Sequence, residues 1–147
     1  MTTSQSRHRR TERVRRWKRG RIVLVYPASS RYSGFMSTNR YPLLFTSHAG
    51  LPILAEILHR DGHSATVYDD NVTPFTHAFL DGASMVGISI ETLWATRGYE
   101  IARMAREKGI PVVFGGAHAP LDPDDALQHG DYVVRNEGEK TFPDLLD

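Results

Sequence analysis

The sequence contains no cysteine. That excludes disulfides, thiolate metal sites and iron–sulfur ligation, and nothing calls for an oxidising compartment, so the expected location is the cytoplasm. No apolar run approaches the roughly 18 residues of a membrane span. The dinucleotide turn Gly-x-Gly-x-x-Gly is missing after the first apolar run, where Pro27-Ala28-Ser29-Ser30 stands instead. A phosphate-binding P-loop, a His-Glu-x-x-His zinc pair and a nucleophile elbow with a Ser/His/Asp set are also missing. A response regulator would end its third strand on aspartate, and this chain has Ile90-Glu91 there. The residues offer no catalytic set and no metal-ligand set.

What is present is ordinary for a soluble domain. The 147 residues are 40% hydrophobic and 24% charged, enough chain to bury roughly 68–70% of its unfolded surface as one domain. The net charge of +1 hides an asymmetry: residues 1–21 carry nine Lys/Arg against the single acid Glu12, and the remainder carries nine against sixteen Asp/Glu. Residues 1–21, with Val14 and Trp17 as their only sizeable apolar side chains, read as a basic, disordered leader. It lacks the apolar core of a secretory signal. Contact with nucleic acid or anionic lipid would rest on this leader alone, and a solvated tail is the preferred reading.

From there strands and helices alternate. Ile22 to Tyr26 (IVLVY) is a continuous apolar run, as a strand buried on both faces requires. Ala28 to Tyr41 is a Ser/Gly/Arg/Tyr-rich loop, long enough to cover a ligand or only to run over the surface. Gly50 to Arg60 is an amphipathic helix with Leu51, Leu54 and Leu58 on one stripe and Gly62 as its cap. Thr66 to Tyr68 is a second strand, and Thr73 to Leu80 reads as a short, weak helix. Ser84 to Ile90 is the third strand, in which Gly87 suggests close backbone approach. A helix over Thr96 to Lys108 leads to a fourth strand, Val112 to Phe114. Asp122 and Pro123 start a helix that Gly130 closes. Tyr132 to Val134 is the fifth strand, and Glu137 to Asp147 begins a further helix carrying Phe142, Leu145 and Leu146. This alternation predicts an α/β fold: a flavodoxin-like, doubly wound, five-stranded parallel sheet in the order 2-1-3-4-5.

In such a sheet the loops after strands one, three, four and five share a crevice. The pair Gly115-Gly116 there serves either a flat ligand sliding against the backbone or a tight strand-to-helix turn. A hydroxyl at Ser89 could donate to a buried ring nitrogen. The serine-rich stretch Ser29, Ser30, Ser33, Gly34 could cradle a flavin phosphate. His48 and His118 fall near this edge. His59, His63, His77 and His129 read as surface residues.

Taken in order, the pieces IVLVYP, AGLPILAEILHRDGHSATVYDDN, MVGISIET, VVFGGAHA and DYVVRNEGEKTFPDLL resemble a known family. It is the cobalamin-binding domain that precedes the catalytic barrel of cobalamin-dependent radical S-adenosylmethionine enzymes, and the likeness covers Arg21 to Asp147. The resemblance implies a corrin on the C-terminal edge of the sheet, its dimethylbenzimidazole tail inserted into the domain. By position, Ser89 and Thr92 would meet the cofactor from the third loop. Gly115, Gly116 and His118 would meet it from the fourth, and Glu137, Gly138 and Glu139 from the fifth. Asn136 stands where the family commonly has glycine, a place asparagine tolerates at positive φ.

Corrinoid domains of the methionine-synthase type carry Asp-x-His-x-x-Gly after the first strand, whose histidine binds cobalt. This chain has no histidine from Ile22 to Asn39, so the resemblance implies base-off cobalamin with no protein histidine below the metal. The barrel's Cys-x-x-x-Cys-x-x-Cys ligands are absent. The iron–sulfur cluster, S-adenosylmethionine and methyl transfer would therefore belong to a partner domain, in trans or missing, and residues 22–147 read as a binding domain cut off in its last helix. Two other readings stay open, a flavodoxin-like electron-transfer protein and a ligand-free interaction domain. Tryptophan at Gly116 is expected to abolish corrin retention without unfolding the domain.

Overall fold

The computed structural model describes Trp17, residues 19–28 and residues 49–147. Among these, β1 (Arg21–Tyr26), β2 (Ser64–Asp69), β3 (Ala83–Ser89), β4 (Val112–Gly115) and β5 (Tyr132–Val133) form one sheet. All pairs are parallel and the order is β2-β1-β3-β4-β5. That is the doubly wound arrangement the alternation predicts. Its strand order reverses between β1 and β3, the place where such sheets open a crevice.

The helices are α1 (Gly50–Arg60), α2 (Ala95–Glu107), α3 (Pro123–His129) and α4 (Gly138–Leu146). β1 is apolar throughout because both its faces are covered. Ile22 and Leu24 face α1 and α4, meeting Leu54, Leu58, Phe142 and Leu146. Val23 and Val25 face α2 and α3, meeting Ile101, Ala102, Ala105 and Ala126. Each large apolar side chain buried this way contributes roughly 1.5–3 kcal/mol. The local signals act as their chemistry dictates. Asp122 accepts from the Asp125 N–H at 3.1 Å with Pro123 in the first turn of α3, and Gly62 follows α1 at φ +87°.

Two local expectations change, and a third holds. Gly130 closes α3, its N–H donating to the Ala126 carbonyl, from an extended φ of −140°. It is kept small by packing, since a Cβ there would stand 2.6 Å from the Phe114 ring. Within Thr73 to Leu80 only His77–Leu80 is helical, as one 3-10 turn, and Phe75 and Phe79 pack their rings on Tyr68. Trp17 and Arg21, assigned by composition to the basic leader, are anchored. The Trp17 N–H donates to the Leu146 carbonyl at 3.0 Å and its ring meets Tyr132 edge-on. Arg21 opens β1, and its guanidinium donates to the carbonyls of Phe79 and Asp81 and to the Tyr68 hydroxyl. Residues 1–16, the serine-rich stretch with Ser29, Ser30, Ser33 and Gly34, and His48 lie outside the described residues. Among the described residues no helix is long and apolar enough to cross a membrane.

Candidate functional site

The site begins with a missing side chain. Leu24, Gly87 and Val113 stand in one row across β1, β3 and β4, on the face covered by α1 and α4. A Cβ at Gly87 would lie 2.8 Å from Leu24 Cδ2 and 3.0 Å from Phe142 Cε2. The glycine therefore leaves a dent in the sheet between side chains already leaning toward it. Leu51 and Leu54 of α1 wall one side, and Phe142 of α4 with Val134 the other. The dent opens at the C-terminal edge, where Ser89 stands beside Gly115 in register. The cleft has a volume of about 270 Å³. That falls just under the roughly 300–1,000 Å³ of sites that enclose whole small molecules, and it suits a flat fragment of a larger ligand.

The two adjacent glycines divide the two roles open to them. A Cβ at Gly115 would meet nothing within 4 Å, so this residue faces open space at the cleft mouth. Gly116 adopts φ +86°, and a Cβ there would stand 2.5 Å from the Ile90 carbonyl oxygen and 2.8 Å from its nitrogen. It makes the tight turn. Bonds from the Ile90 N–H to the Gly115 carbonyl (2.9 Å) and from the His118 N–H to the Ile90 carbonyl (3.0 Å) lace the two loops together. Tryptophan at Gly116 would therefore break the turn itself, which corrects the expectation that this substitution leaves the domain folded; Gly115 is the position from which a side chain would enter the cleft mouth. Asn136 takes φ +65°, as its place in a glycine turn requires.

Five of the eight sequence-predicted residues line the cleft: Ser89, Gly115, Gly116, Gly138 and Glu139. Three stand outside it. His118 and Thr92 join the third and fourth loops on the rim, Nδ1 to Oγ1 at 3.2 Å. Glu137 is exposed and precedes α4, its carbonyl accepting from the Lys140 and Thr141 N–H groups. Sequence reasoning missed the α1 wall, because Leu51 and Leu54 read only as the buried stripe of a helix. Gly87 was the visible signal. Among the described residues the depth of the cleft holds no hydrogen-bonding side chain, and Ser89 is the half-buried hydroxyl at its mouth. Two histidines read as surface residues are partly covered: His129 stacks on Tyr99 at 3.9 Å, and His63 buries Nδ1. Among the described residues no three His, Asp or Glu side chains gather as a metal site.

A second polar feature fixes the same edge. Asp70, 5% exposed, follows β2 and accepts from the Ala28 N–H (2.9 Å) and the Phe75 N–H (2.6 Å). Arg97 of α2 grips both its oxygens, Nε at 2.8 Å and Nη2 at 3.0 Å. Burial pushes the Asp70 carboxyl up, but Arg97 and the two amides more than offset it and hold the group below the usual carboxylate range. In return Asp70, and after it Glu100, push the Arg97 guanidinium further up. This clamp ties the exit of β1 to α2. Asp69, one residue earlier, instead caps its own turn by accepting from the Asn71 N–H.

These features define an open, doubly wound α/β domain with an apolar ligand cleft on the C-terminal side of its switch point. The family model of the B12 binding domain matches residues 43–146. The chain belongs to that family. Among curated relatives, the bacteriochlorophyllide d C-8(2)-methyltransferase of Chlorobaculum tepidum is 44% identical over 63 residues, covering 43% of this chain and 14% of that protein. An uncharacterized methyltransferase of Pyrococcus horikoshii is 29% identical over 139 residues, covering 86% of this chain and 28% of the relative. The chain thus spans less than a third of either. The solved structure of the radical S-adenosylmethionine methyltransferase TsrM from Kitasatospora setae, with cobalamin and a 4Fe-4S cluster bound, superposes with a TM-score of 0.66. Identity there is 19%, over 88% of this chain and 26% of TsrM, and the likeness is one of fold.

Proposed function

We propose that this domain holds cobalamin with its lower base lifted off cobalt and lodged in the cleft, and that it presents the cofactor to a radical S-adenosylmethionine methyltransferase domain. The observation that carries the reading is the dent at Gly87, apolar within and open beside Gly115, in a chain of the B12 binding family. Ser89, at the cleft mouth, would donate its hydroxyl to the ring nitrogen that the base frees when it leaves the metal. Gly50 and Gly138 open α1 and α4 at the cleft mouth, and among the described residues no side chain caps either helix start. The positive dipole ends of the two helices would favour the phosphodiester of the nucleotide tail. Thr92, His118 and Glu137, outside the cleft, would meet the corrin from the rim.

Among the described residues no imidazole lines the cleft, and the ring nitrogen Nδ1 of His118 is engaged with Thr92. This supports a cobalt with no protein nitrogen beneath it. When bound, the corrinoid supplies a methyl-carrying metal that is easier to reduce and to methylate without a strong lower ligand. The residues of this chain bind and orient it, while the cluster, S-adenosylmethionine and the acceptor site fall to the partner domain, since there is no cysteine here. The test is to incubate the protein with hydroxocobalamin, desalt it and record the visible spectrum. A retained corrin band supports the reading. A blank spectrum rejects it, and a flavin band after parallel incubation with flavin mononucleotide would favour the electron-transfer alternative.

A further inference from the structure

The depth of the cleft is walled by Leu24, Leu51, Leu54, Val113, Val134 and Phe142. Of these, Leu24, Val113 and Phe142 are at most 4% exposed. Between this floor and the mouth, Ser89 is the one hydrogen-bonding side chain among the described residues; Asn136 and Glu139 are exposed at the outer lip. The strand backbone offers nothing more, because β1, β3 and β4 spend their amides and carbonyls on each other along the row that carries Gly87. A group entering here gains from apolar contact and finds a partner for a single polar atom.

Corrinoids differ in the base that ends their nucleotide tail. A methylated benzimidazole off the metal exposes one bare ring nitrogen and otherwise only carbon. An adenine base adds two ring nitrogens and an amino group, each of which loses water on entry. We propose that this cleft is a selectivity filter for the lower base, accepting a benzimidazole-type corrinoid and discriminating against a purine-type one. Ser89 serves the single nitrogen of the accepted base, and Leu54, Val113 and Phe142 leave the extra polar atoms of the other unpartnered. The inference rests on the corrinoid reading above and adds to it which corrinoid the domain takes.

The experiment titrates the protein with cobalamin, with the adenine-bearing analogue and with cobinamide, which lacks a base, reading affinity from the visible spectrum and from tryptophan fluorescence. The expected result is cobalamin tightest and the adenine form about 10- to 100-fold weaker, the range an apolar pocket achieves against added polar groups. Cobinamide should fall well below cobalamin. Equal affinity for the two complete corrinoids would overturn the filter while leaving the corrinoid reading intact. Cobinamide binding as tightly as cobalamin would remove the base from the cleft, and no binding of any of the three would reject the corrinoid reading itself. Leu51→Gln, at a half-exposed helix position that tolerates glutamine, puts a donor and an acceptor on the wall. It should narrow the cobalamin-to-adenine ratio by about fivefold or more, one well-made hydrogen bond's worth; an unchanged ratio would overturn the assignment of the α1 wall.

Discussion

Gly115 and Gly116 are neighbours, yet a side chain added to each would meet a different fate. At Gly115 the added atoms enter empty space at the cleft mouth. Gly115→Trp is therefore expected to abolish retention of a corrin band after desalting while changing unfolding free energy by about 0.5 kcal/mol or less. At Gly116 even a methyl group meets the Ile90 backbone at 2.5 Å from a left-handed φ. Gly116→Ala should lose about 1–3 kcal/mol of stability in denaturant unfolding. Gly98 poses a third case. In α2 an alanine would ordinarily gain about 1 kcal/mol over glycine, but here its Cβ would press into Cγ2 of Ile90, a fully buried side chain. Gly98→Ala is expected to destabilise by about 1 kcal/mol or more despite the helix propensity. A stabilised variant would mean that α2 and β3 can separate freely.

At the scale of elements, the strands and helices were legible because their burial is written into their periodicity. A parallel strand covered on both faces must read as IVLVY, and a helix covered on one must space Leu51, Leu54 and Leu58 as α1 does. The site was legible only where a rule of backbone geometry marks it, as at Gly87, Gly116 and Asn136. The α1 wall was not, since nothing in a leucine stripe says which turn abuts a gap. The Asp70–Arg97 clamp was not either, because it joins residues 27 apart that no local pattern relates. That clamp makes a pH prediction. With its pKa lowered in the fold, Asp70 contributes stability that is fully present above the unfolded carboxylate value of about 3.9 and is lost as pH falls through the lower folded value. Asp70→Asn should cost about 3 kcal/mol at pH 7, as removing one member of a buried pair does. Chemical unfolding of both proteins from pH 7 down to pH 2 checks this: the gap should close below about pH 4, and a gap that persists at pH 2 would assign the cost to packing instead.

In the molecule as a whole, one edge of the sheet gathers the cleft, the starts of α1 and α4 and the Thr92–His118 link. The relatives that this chain matches are about three times its length, and under the proposed reading this edge is the surface across which the cofactor would face a catalytic domain. The central claim is that a corrinoid sits there with its base in the cleft and no nitrogen under its metal. Electron paramagnetic resonance of the reconstituted protein, reduced to the cob(II) state, tests this most directly. The account predicts cobalt hyperfine lines free of nitrogen splitting. A three-line nitrogen pattern on each cobalt line would contradict it, because the base would then still be on the metal or a histidine would have taken its place.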